Sequence, residues 1–103
     1  MADIQWVAAS TGMRRRVLAD GEKLMLVEVH LDQGAIVAEH SHIHEQATYV
    51  IRGRIQFTLS GNTVELSAGQ SIFIPSNALH QVTASEETLL LDTFSPPRED
   101  FRS

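Results

Sequence analysis

Three histidines fall within five residues, His40, His42 and His44, and another, His80, follows a later turn. Neutral imidazole is the commonest metal ligand near neutral pH. On an extended strand, residues two apart face the same side about 6.6 Å apart, near enough for two rings to meet one ion through bonds of about 2.1 Å. His40 and His42 have that spacing. Carrying a straight strand on to His44 would stretch the span to roughly 13 Å, which three rings cannot bridge. The chain must therefore turn around Ile43, His44 and Glu45, after which Gln46 can open a strand from Gln46 to Arg52 and return its amide towards the same ion. A lone histidine is usually polar surface, and His30, alone on the polar face of its strand, reads that way. The spaced pair followed by a distant His80 reads as a metal centre, with His44 either beside it or exposed.

The remaining composition narrows the chemistry. The chain has no cysteine, which removes disulfides, thiolate metal sites and a cysteine nucleophile. Any metal must be held by histidine, carboxylate or amide. Lys and Arg number 8 against 13 Asp and Glu, a net charge of -5, so the basic surface that draws polyanions is missing. No nucleic-acid partner is expected. Apolar runs such as Leu89 to Leu91 fall far short of the roughly 20 residues that span a bilayer, and the first residues lack a leader pattern. The expectation is a cytoplasmic protein without a membrane partner, and 103 residues suit one domain over 1–103.

A small sheet must position these groups. Val, Ile and Thr make up 22 of 103 residues, and their stiff side chains favour pleated surfaces. Alternation at period two recurs. Met25, Val27, Val29 and Leu31 share one face; Ile55, Phe57 and Leu59 share another; Val64 and Leu66 alternate with polar residues. Turn chemistry falls between these runs at Asp20-Gly21, Asp32-Gln33-Gly34, Arg52-Gly53, Gly61-Asn62, Ala68-Gly69 and Pro75-Ser76-Asn77. This spacing predicts an all-β, antiparallel barrel or jelly roll. Trp6, Tyr49, Phe57 and Phe73 are expected in the core, with Phe94 a pocket wall. Pro96 and Pro97 cannot continue a central strand, so the tail is expected to wrap across the barrel or its mouth.

Three further charged features stand out. Asp92 lies in the strongly apolar stretch Leu89 to Phe94, where a carboxylate needs a reason to be. Arg98 offers a planar fork suited to a carboxylate, although a solvated tail charge is the blander reading. Arg14, Arg15 and Arg16 alternate across a strand and read mostly as solvated surface, with one of them a minor candidate for assisting an anion.

Two segments resemble the cupin superfamily. G-A-I-V-A-E-H-S-H-I-H-E-Q-A-T-Y-V-I-R-G, Gly34 to Gly53, is similar to the first cupin motif, with Gln46 where an acid is usual. G-Q-S-I-F-I-P-S-N-A-L-H, Gly69 to His80, is similar to the second, which continues to residue 84. Asn77 there replaces a turn glycine and Ala84 a usual Asn. Asn tolerates the left-handed conformation better than any residue but glycine. The resemblance implies a single double-stranded β-helix domain with a divalent ion in one end, held by His40, His42, Gln46 and His80. An amide in place of a carboxylate leaves the site more positive and suited to an anionic, oxygen-bearing substrate. Nickel, zinc, iron, manganese and cobalt all suit such donors.

Beyond the motifs, Trp6, the stretch L-M-L-V-E-V-H-L-D-Q-G-A and the ending D-T-F-S-P-P-R-E-D-F resemble the small KdgF-type cupins. That resemblance implies an enzyme that converts 4,5-unsaturated monouronates, small sugar acids from pectin and alginate breakdown, into linear 5-keto-4-deoxyuronates. It places Asp92, Phe94 and Arg98 in the pocket, with roles in activity. It also implies a homodimer, for which Met1 to Ala9 are the expected contact residues. A cupin dioxygenase using a redox metal and a non-catalytic sugar- or effector-binding cupin are the alternatives.

Overall fold

The computed structural model describes residues 5–102. Ten strands follow in order: β1 (Val7–Ser10), β2 (Met13–Asp20), β3 (Met25–Leu31), β4 (Ile36–His40), β5 (Glu45–Arg52), β6 (Arg54–Leu59), β7 (Asn62–Ser67), β8 (Ser71–Ile74), β9 (His80–Ala84) and β10 (Thr88–Ser95). A 3₁₀ turn, Glu99–Phe101, follows β10. One sheet has six strands in the order β1-β2-β3-β10-β5-β8 and the other has four, β4-β9-β6-β7. Every pairing is antiparallel. This is the two-sheet jelly roll expected from the period-two pattern. No helix among the described residues is long and apolar enough to cross a membrane.

The core forms where the inner faces meet. Met25, Val27, Val29 and Leu31 of β3 are buried together with Val50, Ile55, Phe57, Ile74, Val82 and Leu90. On β5 the inward set is Gln46, Thr48 and Val50, so Tyr49 takes the outer face, 44 % exposed. Phe73 lies on that face too, at 55 %. Both residues depart from their expected core positions, because inward parity in these strands belongs to their neighbours. Val64 is also exposed: it pairs with Phe57, but β7 is the edge of its sheet and only Leu66 of that strand reaches the core.

His30 is not the surface residue expected from its polar strand face. It is 8 % exposed, because Arg14 Nη2 lies 3.0 Å from its Nδ1 and Trp6 packs against the ring at 6.4 Å. Arg14 and Arg16 both lie over the Trp6 ring, at 5.7 and 4.5 Å, and Arg16 also bonds Glu28 at 2.6 Å. Arg15, of opposite parity, pairs with Val29 and lies on the cavity side. The arginine run is thus divided between two faces of β2 rather than solvated throughout.

Two turns are held by close fit. Gly53 has φ +96° and an added Cβ would come within 2.7 Å of Thr88 Cα. Asn77 adopts φ +66°, the conformation expected where it replaces glycine, and its backbone N–H donates to His42 O at 2.7 Å. The turn before β9 therefore grips the loop that carries His42.

Candidate metal centre

Three of the histidines are brought together by different devices. β4 ends at His40, and His42 lies beyond it in the connection to β5, not on the same strand. Between Val37 and His40 the pairing with β9 shifts register, so that Val37 opposes Val82 but His40 opposes His80. Regular alternation would turn Glu39 inward with Val37. The irregularity gives β4 one residue more than β9 across that interval and re-aims His40, a common use of a bulge beside a site. His80 opens β9, 2 % exposed and stacked parallel to Phe57 at 6.0 Å. The chain turns between His42 and Glu45, and Gln46 enters β5 with its side chain buried.

The ring contacts fix the chemistry of each imidazole. Nδ1 of His40 lies 2.8 Å from Ala38 O, that of His42 3.0 Å from His44 O, and that of His80 3.0 Å from Ala78 O. A carbonyl only accepts, so each Nδ1 carries the proton and each Nε2 presents a lone pair. One candidate ligand atom from each ring lies within 4.8 Å of the others. His80 Nε2 is buried without a partner. His42 Nε2 faces Gln46 Oε1 at 2.9 Å, two acceptors in contact. Two facing acceptors repel unless a cation lies between them, so a shared divalent ion would account for this pairing. Burial, followed by the charge of Arg98, lowers the pKa of His42. Burial also lowers that of His80. Both therefore favour the neutral form that binds metal. The donors present fit a divalent ion. His44 stands outside this trio, edge-on to His42 at 5.3 Å.

A buried polar chain leads away from the histidines. Gln46 Nε2 donates to Thr48 Oγ1 at 2.9 Å, and Thr48 donates to Asp92 Oδ1 at 2.6 Å. Asp92 is 7 % exposed, and burial pushes its pKa up to about 6 against the pull of Thr48, Gln46 and Arg98. A carboxyl so placed can take or give a proton near neutral pH.

His40, His80, Gln46, Thr48 and Asp92 line a cavity of about 330 Å³ that also meets Phe94, Phe101, Arg15 and Arg98. That volume lies near the lower end of ligand pockets and suits one small molecule. Phe94 packs edge-on against His42 at 5.8 Å, a wall of the pocket. The tail crosses the mouth: Phe101 packs on Phe94 at 5.6 Å, and Arg102 holds both oxygens of Asp20 at 2.6 and 2.7 Å. Arg98 is not a free tail charge. Its Nε and Nη2 donate to Asp100 at 3.0 and 2.8 Å, and its guanidinium lies over Phe94.

Sequence reasoning passed over Thr48 and Phe101 and gave Arg15 only a minor part. Parity was the available signal: Thr48 lies between Gln46 and Val50 on the inward set of β5, and Arg15 between Met13 and Val17 on β2. Phe101 carried no periodic signal, since it lies beyond the last strand.

The comparisons agree with this architecture. The family model described as the cupin domain matches residues 27–94. The pectin degradation protein KdgF of Dickeya dadantii is 37% identical over 98 residues, 93% of this chain and 89% of the relative. The solved structure of KdgF from a Halomonas species superposes with a TM-score of 0.90 at 35% identity, covering 93% of this chain and 89% of that one. An RmlC-like cupin from Shewanella frigidimarina gives 0.92 at 35% identity, with coverage of 95% and 88%. With two facing antiparallel sheets, a histidine trio at one end and these matches, the chain belongs to the cupin superfamily and within it is similar to the KdgF proteins.

Proposed function

We propose that this protein is a metal-dependent enzyme that opens 4,5-unsaturated monouronates to linear 5-keto-4-deoxyuronates. The observation that carries the reading is one small cavity lined by His40 and His80, two members of the histidine trio, together with a buried carboxyl whose pKa is about 6. Similarity to KdgF, one example of which is named for pectin degradation, supports the same substrate class.

His40, His42, Gln46 and His80 hold the divalent ion, which could be nickel, zinc, iron, manganese or cobalt. When bound, the ion supplies Lewis-acid stabilisation of the negative charge that builds as the ring opens. Asp92 removes the proton of the anomeric hydroxyl as the bond from C1 to the ring oxygen breaks, leaving an aldehyde at C1 and an enolate at C5. The same carboxyl then delivers that proton to C4, and the enolate becomes the C5 ketone. No atom is gained or lost. Thr48 keeps Asp92 in one orientation through both transfers. Arg98, steadied by Asp100, turns its remaining donors to the sugar acid, and Phe94 walls the ring. The same proposal places the enzyme in the cytoplasm as a homodimer. Gln5 to Ala9 would contribute to the dimer contact, and Met1 to Ile4 lie outside the described residues. Sedimentation as a monomer would remove the dimer.

The test follows loss of the ultraviolet band of the conjugated uronate after metal loading. Acceleration that chelation abolishes and the divalent ion restores is expected. Decay at the spontaneous rate with every ion would overturn the assignment.

A further inference from the structure

Two guanidiniums meet one ring at the mouth of the cavity. The central carbon of Arg15 lies 4.0 Å from the centre of Phe101, and that of Arg98 lies 4.3 Å from it. One carboxylate stands beside them and is unequally shared. Asp100 accepts from Nε of Arg98 on Oδ1 and from Nη2 on Oδ2, so both its oxygens enter a single fork. Among the described residues, Arg15 makes neither an ion pair nor a side-chain hydrogen bond.

Its position makes that isolation consequential. Arg15 pairs with Val29, a core residue 3 % exposed, and so lies on the inward face of β2, lining the same cavity as Asp92 and His80. Phe101 covers one face of the guanidinium and strips water from it. A partly desolvated cation with unpaired donors is costly unless an anion completes it. A planar carboxylate matches its fork with two parallel hydrogen bonds, whereas a neutral sugar hydroxyl leaves its charge unmet.

We infer that Arg15 is the specificity-determining residue of this pocket, binding the carboxylate of the sugar acid while Asp100 restrains Arg98 to a supporting contact. The substrate's name rests on the uronate reading above; the place of Arg15 in an anion site does not.

The test uses metal-loaded, full-length protein in two arms. Calorimetry compares glucuronate with glucose on the unsubstituted protein, on Arg15→Gln and Arg15→Lys, and on Arg52→Gln, an exposed control on the ion pair with Glu87. Glucuronate is expected to bind more tightly than glucose, and Arg15→Gln to weaken it on the order of tenfold or more, towards the glucose level. Arg15→Lys should retain part of the affinity, because it keeps the charge and loses the fork, and it serves where the glutamine variant fails to fold. Arg52→Gln should change nothing. The kinetic arm expects Arg15→Gln to raise KM for the unsaturated uronate with kcat nearly unchanged. Unaltered glucuronate affinity in both Arg15 variants, or no preference for glucuronate in the parent, overturns the inference. Arg15-dependent glucuronate binding without uronate turnover would overturn the proposed reaction and leave Arg15 as an anion site. Turnover with the parent KM in both variants would do the reverse.

Discussion

The Thr48 hydroxyl lies 2.6 Å from Asp92 Oδ1 and links that carboxylate to the histidine trio through Gln46. Its single proton goes to Asp92, so towards Gln46 it can only accept. This polarity holds the amide nitrogen of Gln46 on Thr48 and its oxygen towards His42. Thr48→Val keeps the shape, removes the hydroxyl and lets the amide turn. Divalent-ion affinity, measured by titration of chelator-stripped protein, is expected to fall roughly tenfold, as for other groups that orient ligands. Thr48→Ser should restore most of it. Equal affinity in the valine variant would deny Thr48 this role.

Burial of the Asp92 carboxyl costs stability, and in the proposed reaction that same burial readies it for proton transfer. Its folded pKa of about 6 stands above the usual 3.8 because burial disfavours the charged form. The carboxyl therefore binds its proton more tightly folded than unfolded. That contribution is fully present below pH 3.8 and is lost as pH rises through about 6, a swing on the order of 3 kcal/mol. In metal-free protein, Asp92→Asn should raise stability at pH 8 by about 2 kcal/mol and leave it little changed at pH 3.5. Uronate turnover should fall by roughly a hundredfold or more. Denaturation at the two pH values checks the sign, and a variant less stable at pH 8 contradicts the burial argument.

Removing the ion should loosen one end of the barrel. Binding at a concentration of about a hundred times Kd stabilises by about 2.7 kcal/mol, which in a chain of this size corresponds to roughly 10 °C in melting temperature. Chelation is expected to produce that downward shift, and readdition to reverse it. His80→Ala, which deletes the buried and unpartnered Nε2, should melt at one temperature with or without ion. A metal-dependent shift surviving in this variant would exclude His80 from the ligand set.

Gly53 joins β5 to β6 where backbone from the start of β10 passes close by. An alanine there would combine φ of +96° with a Cβ driven against Glu87 O and Thr88. A loss on the order of 3 kcal/mol or more is expected from strain and overpacking together. Urea denaturation measures it, and a loss below about 1 kcal/mol would show that the turn shifts freely.

The sheet architecture was legible residue by residue, because side chains on a strand alternate and a half-buried sheet records that alternation in its polarity. Met25, Val27, Val29 and Leu31 face the core as their pattern predicts. The left-handed turn at Asn77 was also legible, since few residues accept that conformation. Spacing marked His40 and His42 as a pair, and the set completed by Gln46 and His80 was what the resemblance to the cupin motifs implied.

Folding decided how those groups meet. Simple alternation on β4 turns Glu39 inward; the shifted register with β9 brings in His40 instead, and that shift depends on a partner strand some forty residues away. Tyr49 and Phe73 read as core because they are large and apolar, yet strand parity places them outside. The unequal lots of Arg15 and Arg98 were equally hidden. Both are arginines flanking one aromatic ring, and only the close packing of β2 against the C-terminal tail gives Asp100 to one and leaves the other facing the cavity. Local pattern reports which way a side chain points along its own strand; the charge it meets there depends on residues remote in the chain.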